Sequence, residues 1–470
     1  MTGGLERAAA ACILPGFAGL EAPDWLTRWL DDGLGGVCLF SRNVRDPAQL
    51  AELTAELRVG RDDVLVGIDE EGGDVTRLEL STGSSYPGAW ALGAVDDVEL
   101  TERVAAAIGS DLARVGVNLN FAPVADVNTN PANPVIGIRS FGADAELASR
   151  HVAAFVRGQQ ATGVAACAKH FPGHGDTQQD SHHELPTVET DAASFGAALR
   201  PFRAAVEAGV RAVMTAHIVV PAVDSLPATL SRGLLEGVLR GELGFHGAIV
   251  TDALEMRGVA DGWGMAGAAV RSLAAGADAL LLGSAIDESH VATVYAAVLE
   301  AVASGELAEE RVLEAAGRVR ELGLSALAPG AVEVDRSVGA EAAARALVVE
   351  GDVRVGGAPL VVELAPEPGM AAGPAMHGLG GLLAGADVVT VTTWPAALDP
   401  GDRELVVVAR DAARYAWQRE ALAALLAARP DAVVVETGLD NGRPPDATRY
   451  VATRGAGRVN LEAAAKRLAG

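Results

Sequence analysis

The chain has 470 residues, enough for a barrel-sized domain plus a smaller one and too many for one typical domain. Half of it is hydrophobic and 21% is charged, an ordinary balance for a globular protein, and the few aromatics leave its cores aliphatic. The net charge of -25 argues against the clustered basic surface that nucleic acid or an anionic membrane requires, and is read as solubility.

At the N-terminus, "MTGGLERAAAACILPGF" has no basic segment before its short apolar run, so it does not read as a secretory signal. No run reaches the ~18 apolar residues of a bilayer span. Cys12, Cys38 and Cys167 all lie in apolar runs, and their odd number fits buried thiols in a reducing compartment rather than a disulfide framework. A cytoplasmic location is expected.

Short apolar runs then recur and read as buried strands: "CILPG" at 12–16, "GVCLF" at 36–40, "VLVGID" at 64–69 and "VNLNFA" at 117–122. They continue with "VAACAKH" at 164–170, "AVMTAH" at 212–217, "AIVTD" at 248–252 and "ALLLG" at 279–283. Segments of helical period lie between most of them, at 98–115, 145–161, 194–208 and 265–275. Uninterrupted apolar strands alternating with helices imply a parallel sheet buried on both faces. Eight such units predict a TIM-like (β/α)8 barrel over residues 1–325, closed by a helix at 307–323.

"SALAPGAVEVDRSVG" at 325–339 breaks the pattern, and a linker is expected over 326–340. Residues 341–470 restart an alternation, with strands near 360–364, 387–393, 404–409 and 432–436 and helices near 414–428 and 460–469. This predicts a smaller, doubly wound α/β sandwich domain. Its "GLGGLLAG" at 378–385 follows no strand and leads to no Gly-Lys-Ser/Thr, so it reads as a small-residue packed helix, not a phosphate loop.

Several first-domain runs end on polar residues: Asp69, Lys169 with His170, His217 and Asp252. In a barrel these ends converge on one face, where active sites are built. A carboxylate such as Asp252 after an apolar strand is costly unless used, although it could equally cap the next helix. The densest chemistry is "KHFPGHGDTQQDSHHELP" at 169–186, with four of the nine histidines. His170, His174, Asp176, Asp180, His182 and His183 are all possible zinc ligands. However, Pro172 and Gly173 interrupt the helical His170–His174 spacing, and no metal or cofactor is expected. Asp180 and His182, two apart in a looped segment, can instead form a carboxylate–imidazole pair for general acid/base work. By itself an Asp-x-His pattern is also common among surface polar residues.

The same segment resembles the signature loop of glycoside hydrolase family 3, β-N-acetylglucosaminidase branch. "GIDEEGGDVTRL" at 67–78, "NPVIGIRSFG" at 133–142, "MTAHIVVPAVD" at 214–224 and "PATLSRGLLEGVLRGELGFHGAIVTDALEM" at 227–256 are similar to that family's motifs, in its order. The resemblance implies a barrel often followed by an α/β sandwich, and a retaining exo-β-N-acetylglucosaminidase acting on muropeptides or chito-oligosaccharides. It implies Asp252 as nucleophile, His182 as general acid/base and Asp180 as its partner. It further implies that Asp69, Arg77, Arg139, Lys169 and His170 hold the sugar, with a salt-bridge network around the barrel mouth as their structural alternative. His174 and Asp176 are read as shaping the loop, His183 as exposed, and His217 as either packing or contacting substrate.

The sequence departs from the family pattern at Glu70, where Gln is usual, and at Asp74, where Arg is usual. Thr251 and Ala253 flank the implied nucleophile where Ser and Asp are common. A phosphorylase or β-glucosidase of the same family, a non-catalytic sugar-binding protein and a metalloprotein remain as alternatives. The expected partner is a small carbohydrate, with no nucleic acid and no membrane, for a monomer or weak homodimer.

Overall fold

The computed structural model describes residues 3–177, 185–325, 334–367, 369, 378–395, 398 and 401–470. Eight short strands lie where the apolar runs predict them. They are β1 (Ile13–Pro15), β2 (Gly36–Leu39), β3 (Leu65–Ile68), β4 (Leu119–Asn120), β5 (Ala165–Phe171), β6 (Ala212–Thr215), β7 (Ala248–Val250) and β8 (Leu280–Gly283). From β2 to β7 they pair side by side in chain order, all parallel. β8 pairs in parallel with β1, and a bridge between Val250 and Ala279 joins the two groups. The result is a curled parallel sheet in an α/β fold.

The curl explains why the strands read as unbroken apolar runs. Alternate side chains point to opposite faces of a strand. Cys38, Leu65, Cys167, Met214 and Leu281 meet inside the curl. Val37, Val66, Ala166, Val213 and Ile249 face the outer helices. Neither face meets water, so neither can be polar. The outer helices include Val98–Arg114, Ala145–Gln160, Ala192–Glu207 and Glu309–Ser325, each within two residues of its expected start and end. The helix expected at 265–275 is the second half of Arg257–Ala275, which is broken at Gly264 with φ 66°. The glycines of its first half hid its period.

Residues 348–452 carry a second sheet, formed by β9 (Val348–Glu350), β10 (Leu360–Leu364), β11 (Asp387–Val391), β12 (Leu405–Ala409), β13 (Val433–Glu436) and β14 (Arg449–Ala452). Its order is β11-β10-β12-β13-β14-β9, parallel except for the antiparallel edge strand β9. Helix Ala416–Ala428 covers one face through Ala421, Leu422 and Leu425. Helix Arg458–Ala469 covers the other through Leu461, Ala464 and Leu468. Two strands escaped the sequence reading. β9 is a partly exposed three-residue edge, and β14 opens on Arg449.

Two expectations for the second half are corrected. Of the expected linker, 326–333 lies outside the described residues, and helix Val338–Ala346 begins inside the remainder. Gly339 is there for packing, not breaking: a Cβ on it would sit 2.0 Å from the Ser85 carbonyl oxygen. The stretch 378–385 is not a helix but a single 3-10 turn, Gly380–Leu382. Glu363 accepts the Gly380 N–H at 3.0 Å, and a Cβ there would strike Val388. Among the described residues, no helix is long and apolar enough to cross a membrane. All three cysteines are buried free thiols, and burial pushes Cys12 up to about 12.

The N-terminal end of the curl is locked by Asp278, just before β8. Its fully buried carboxylate pairs with Arg240, Arg311 and Arg318 and accepts the Ile249 N–H at 2.8 Å. Removing one member of a buried ion network leaves the others unpaired, at a cost of ~3–5 kcal/mol. Asp278→Ala is therefore expected to lower the melting temperature by on the order of 10 °C in calorimetry. A shift within experimental error would show that the three arginines are satisfied elsewhere.

Candidate active site

A cavity of about 590 Å³ opens at the carboxyl ends of the first-domain strands. Asp69, Arg77, Arg139, Lys169, His170 and Asp252 all line it. These positions are up to 183 residues apart, from 69 to 252, and the parallel sheet brings them together because each lies at the carboxyl end of a strand or in the loop after it. Of the predicted site, Asp180 and His182 lie outside the described residues, as does His183.

Lys169 Nζ is the hub of the cavity wall. Its side chain, at the end of β5, is only 2% exposed, and it meets Asp69 Oδ1 at 2.7 Å and Glu71 Oε1 at 2.6 Å. Glu71 also takes Arg139 in a forked pair, Nε at 2.9 Å and NH2 at 2.8 Å. Arg77 NH2 lies 3.6 Å from the other Asp69 oxygen. Burial alone would raise both carboxyls. Lys169 and Arg77 outweigh it at Asp69, and Arg139 and Lys169 outweigh it at Glu71, so both are held below the usual carboxylate range. Burial would likewise discharge Lys169, but Asp69 and Glu71 keep its pKa above the ordinary value. The wall is thus a row of fixed, alternating charges, suited to orienting the hydroxyls of a polyhydroxylated ring.

His170 is held by Asp126, which is fully buried. Asp126 Oδ2 meets His170 Nδ1 at 2.7 Å, and Oδ1 accepts the backbone N–H of His174 at 2.7 Å. Arg139 NH2 approaches His170 Nε2 at 3.5 Å. The tautomer that satisfies both contacts carries its proton on Nδ1 and leaves Nε2 as acceptor toward Arg139. In that tautomer the ring presents no N–H toward Arg139. His174 also lines the cavity, bonds Thr177 Oγ1 through Nδ1 at 2.7 Å, and burial pushes its pKa down to about 4. Asp176 accepts from Thr129 Oγ1 at 3.0 Å.

Asp252 lies two residues beyond the end of β7. It does not cap the next helix, which starts at Arg257 after Met256. Its Oδ1 accepts the Ala253 N–H at 2.8 Å, and its own N–H points at Thr215 Oγ1, 3.4 Å away. His217 buttresses this loop. It is fully buried, takes Thr229 Oγ1 on Nδ1 at 2.7 Å, and holds the Ala253 carbonyl through Nε2 at 3.0 Å. Of its two possible roles, packing is the one the structure displays.

The sequence reading missed Glu71, Asp126 and Glu255. Glu255 lines the cavity and accepts the Ser284 N–H at 2.6 Å. Asp126 carried a usable signal, since it lies four residues beyond the run 117–122, as Asp252 ends its own. Glu71 was hidden in an acidic run, "DEE", where only the strand's alternation separates cavity from core. Among the described residues, no three His, Cys, Asp or Glu side chains are grouped to hold a metal ion.

Residues 21–322 match the glycosyl hydrolase family 3 N-terminal domain. A beta-hexosaminidase A of Pseudoalteromonas piscicida is 36% identical over 344 residues, 67% of this chain and 56% of that protein. The chain thus spans little more than half of that relative's length. A beta-hexosaminidase of Thiobacillus denitrificans is 41% identical over 274 residues, 56% of this chain and 76% of its own length. The solved structure of a glycoside hydrolase family 3 beta-N-acetylglucosaminidase from Paenibacillus sp. superposes with a TM-score of 0.89 at 36% identity, covering 100% of this chain and 97% of that one.

Glu70, which replaces the expected Gln, points away from the cavity. It is 3% exposed, and its Oε2 accepts the N–H groups of Arg77 at 2.8 Å and Leu78 at 3.0 Å. Burial outweighs these bonds and raises its pKa to about 7. A carboxyl with a raised folded-state pKa stabilises below its unfolded pKa, and that contribution is lost as pH rises through about 7. Gln presents the same acceptor without the titration. Glu70→Gln is therefore expected to gain stability over the wild type between pH 5 and 8, by on the order of 3 kcal/mol. Urea midpoints at the two pH values measure this, and parallel curves for both proteins would refute it.

Proposed function

The chain belongs to glycosyl hydrolase family 3, and on that basis we propose that it is a retaining exo-β-N-acetylglucosaminidase built on a TIM-like (β/α)8 barrel. The observation that carries the reading is the single cavity in which Asp252 stands with Asp69, Arg77, Arg139, Lys169 and His170. The relatives named beta-hexosaminidase and the superposed beta-N-acetylglucosaminidase support the sugar. The substrates proposed are muropeptides or chito-oligosaccharides with a terminal N-acetylglucosamine.

In this reading the charged wall grips the sugar hydroxyls and sets the anomeric carbon over Asp252. An Asp252 carboxylate oxygen forms a bond to that carbon as the glycosidic C–O bond breaks. His182 donates its proton to the departing oxygen, with Asp180 orienting the ring and stabilising its charged form. Water then attacks the glycosyl–enzyme ester, His182 takes its proton, and the sugar leaves with its β configuration retained. His170 is engaged on both ring nitrogens, by Asp126 and Arg139, and is assigned to sugar binding instead. A histidine donor also avoids a second buried carboxylate beside Asp252.

The purified protein is expected to hydrolyse p-nitrophenyl β-N-acetylglucosaminide faster than the β-glucoside, without phosphate. Asp252→Ala should lose at least ~10³-fold in kcat/KM. Azide should restore turnover to that variant and yield the α-glycosyl azide. Full activity in Asp252→Ala would remove the nucleophile assignment. Preference for the glucoside would overturn the sugar, and sugar 1-phosphate formed only with phosphate present would replace the hydrolase by a phosphorylase.

A further inference from the structure

The turn that carries Glu71 into the cavity is held from outside the first domain. It is tight: Glu71 N–H donates to Val75 O at 3.0 Å, Val75 N–H donates to Gly72 O at 3.3 Å, and Gly72 and Gly73 have φ of 82° and 61°. A Cβ at Gly73 would lie 2.7 Å from the Gly88 nitrogen, so only glycine fits that position. Glu71 and Asp74 stand at opposite ends of this rigid turn. Glu71 faces Lys169 and Arg139. Asp74 faces the second domain, and both its oxygens are used there. Oδ2 pairs with Arg410, just after β12, and Oδ1 accepts the Ala456 N–H at 2.8 Å, just after β14.

The pair is desolvated, with Asp74 7% and Arg410 20% exposed. Burial would lower the Arg410 pKa, but Asp74 and Asp411 outweigh it, so the cation is retained. A crevice continues the contact, lined by Glu71, Gly73 and Asp74 against Arg454 and Gly455. Other bonds dock the second domain independently of this pair. Arg345 meets Asp97 at 2.7 Å, Arg336 meets Asp111 at 2.9 Å, and Val459 N–H donates to Ser84 O at 3.3 Å. Loss of the Asp74–Arg410 pair would therefore loosen the turn without detaching the domain.

We propose that Asp74 and Arg410 are positioning residues through which the second domain sets the sugar-binding wall: their pair fixes the Glu71 turn, and Glu71 in turn fixes Lys169 and Arg139. The sugar-binding part rests on the function proposed above, while the mechanical coupling does not. A buried charge pair between rigid elements suits this task, because breaking it leaves a charge that must move to find water. The effect should fall on ground-state sugar binding, since Asp252 is held separately by the β7 loop and His217.

The test uses the full-length protein with Arg410→Ala, Arg410→Lys and Asp74→Asn. Hydrogen–deuterium exchange is followed over residues 69–80 and, as reference, 212–217 and 248–254, alongside steady-state kinetics on p-nitrophenyl β-N-acetylglucosaminide. Arg410→Ala is expected to speed exchange over 69–80 alone and raise KM about tenfold, with kcat within about threefold of wild type. Arg410→Lys, which keeps the charge, should recover most of the KM loss. Asp74→Asn, which keeps an acceptor for Ala456 N–H, should fall between. Unchanged exchange over 69–80 in a folded Arg410→Ala protein would overturn the coupling. Equal loss of kcat and protection throughout would show the pair to be merely structural, and so would a Lys variant no better than Ala. If the wild type does not cleave the substrate, the proposed function fails, and the exchange data still decide the coupling.

Discussion

The candidate site depends on one carboxylate. Glu71 binds Lys169 with one oxygen and closes a fork on Arg139 with both. Two cations brought this close repel each other, and burying either unpaired would cost several kcal/mol. Glu71 and Asp69 together make the arrangement neutral enough to bury while leaving its donors facing the cavity. Charge-assisted bonds at 2.6–2.9 Å between buried side chains are directional as well as strong. Such a wall meets a ligand already organised, so little binding energy is spent on arranging it.

The two ends of the first sheet divide the work. At the amino ends, Asp278 gathers three arginines and ties β8 to the helices behind it. Arg240 and Arg311 also hold the backbone carbonyls of Gly247 and Ala277 there, so the charge of this cluster serves the fold. At the carboxyl ends, charges of both signs line open space. The division follows from the parallel fold, which points every strand the same way and leaves loops free to vary at one end only. Asp252 sits at the carboxyl end on a loop fastened by Thr215, Thr229 and His217, groups that take no part in the Glu71 pairs.

The second domain also reaches this arrangement. It touches the turn that carries Glu71, through a pair whose signs are set by Asp74. The family pattern puts Arg at that position, and here Arg410 supplies the cation from the partner domain. The charge of Asp74 is thus balanced across the contact between the two domains. Glu70, the neighbouring departure, is absorbed differently, as a buried carboxyl with a raised pKa serving two backbone N–H groups.

Local chemistry sufficed for much of this molecule. Strands buried on both faces must be apolar throughout, so all eight first-domain strands were legible, and so was the convergence of Asp69, Lys169, His170 and Asp252 on one face. Elements whose periodicity is masked were not: the glycine-broken start of helix Arg257–Ala275, the edge strand β9, and the turn Gly380–Leu382 that reads like a helix. Partner choice was not legible either. Nothing in "DEEGGD" says that its first and third acids serve Lys169 and Arg139, its second the backbone, and its last Arg410. Residue type and spacing determine which groups can carry charge and which strand end they reach. Which charge meets which is decided only when distant segments pack, because pairing energy depends on distance and burial, and neither exists in the unfolded chain.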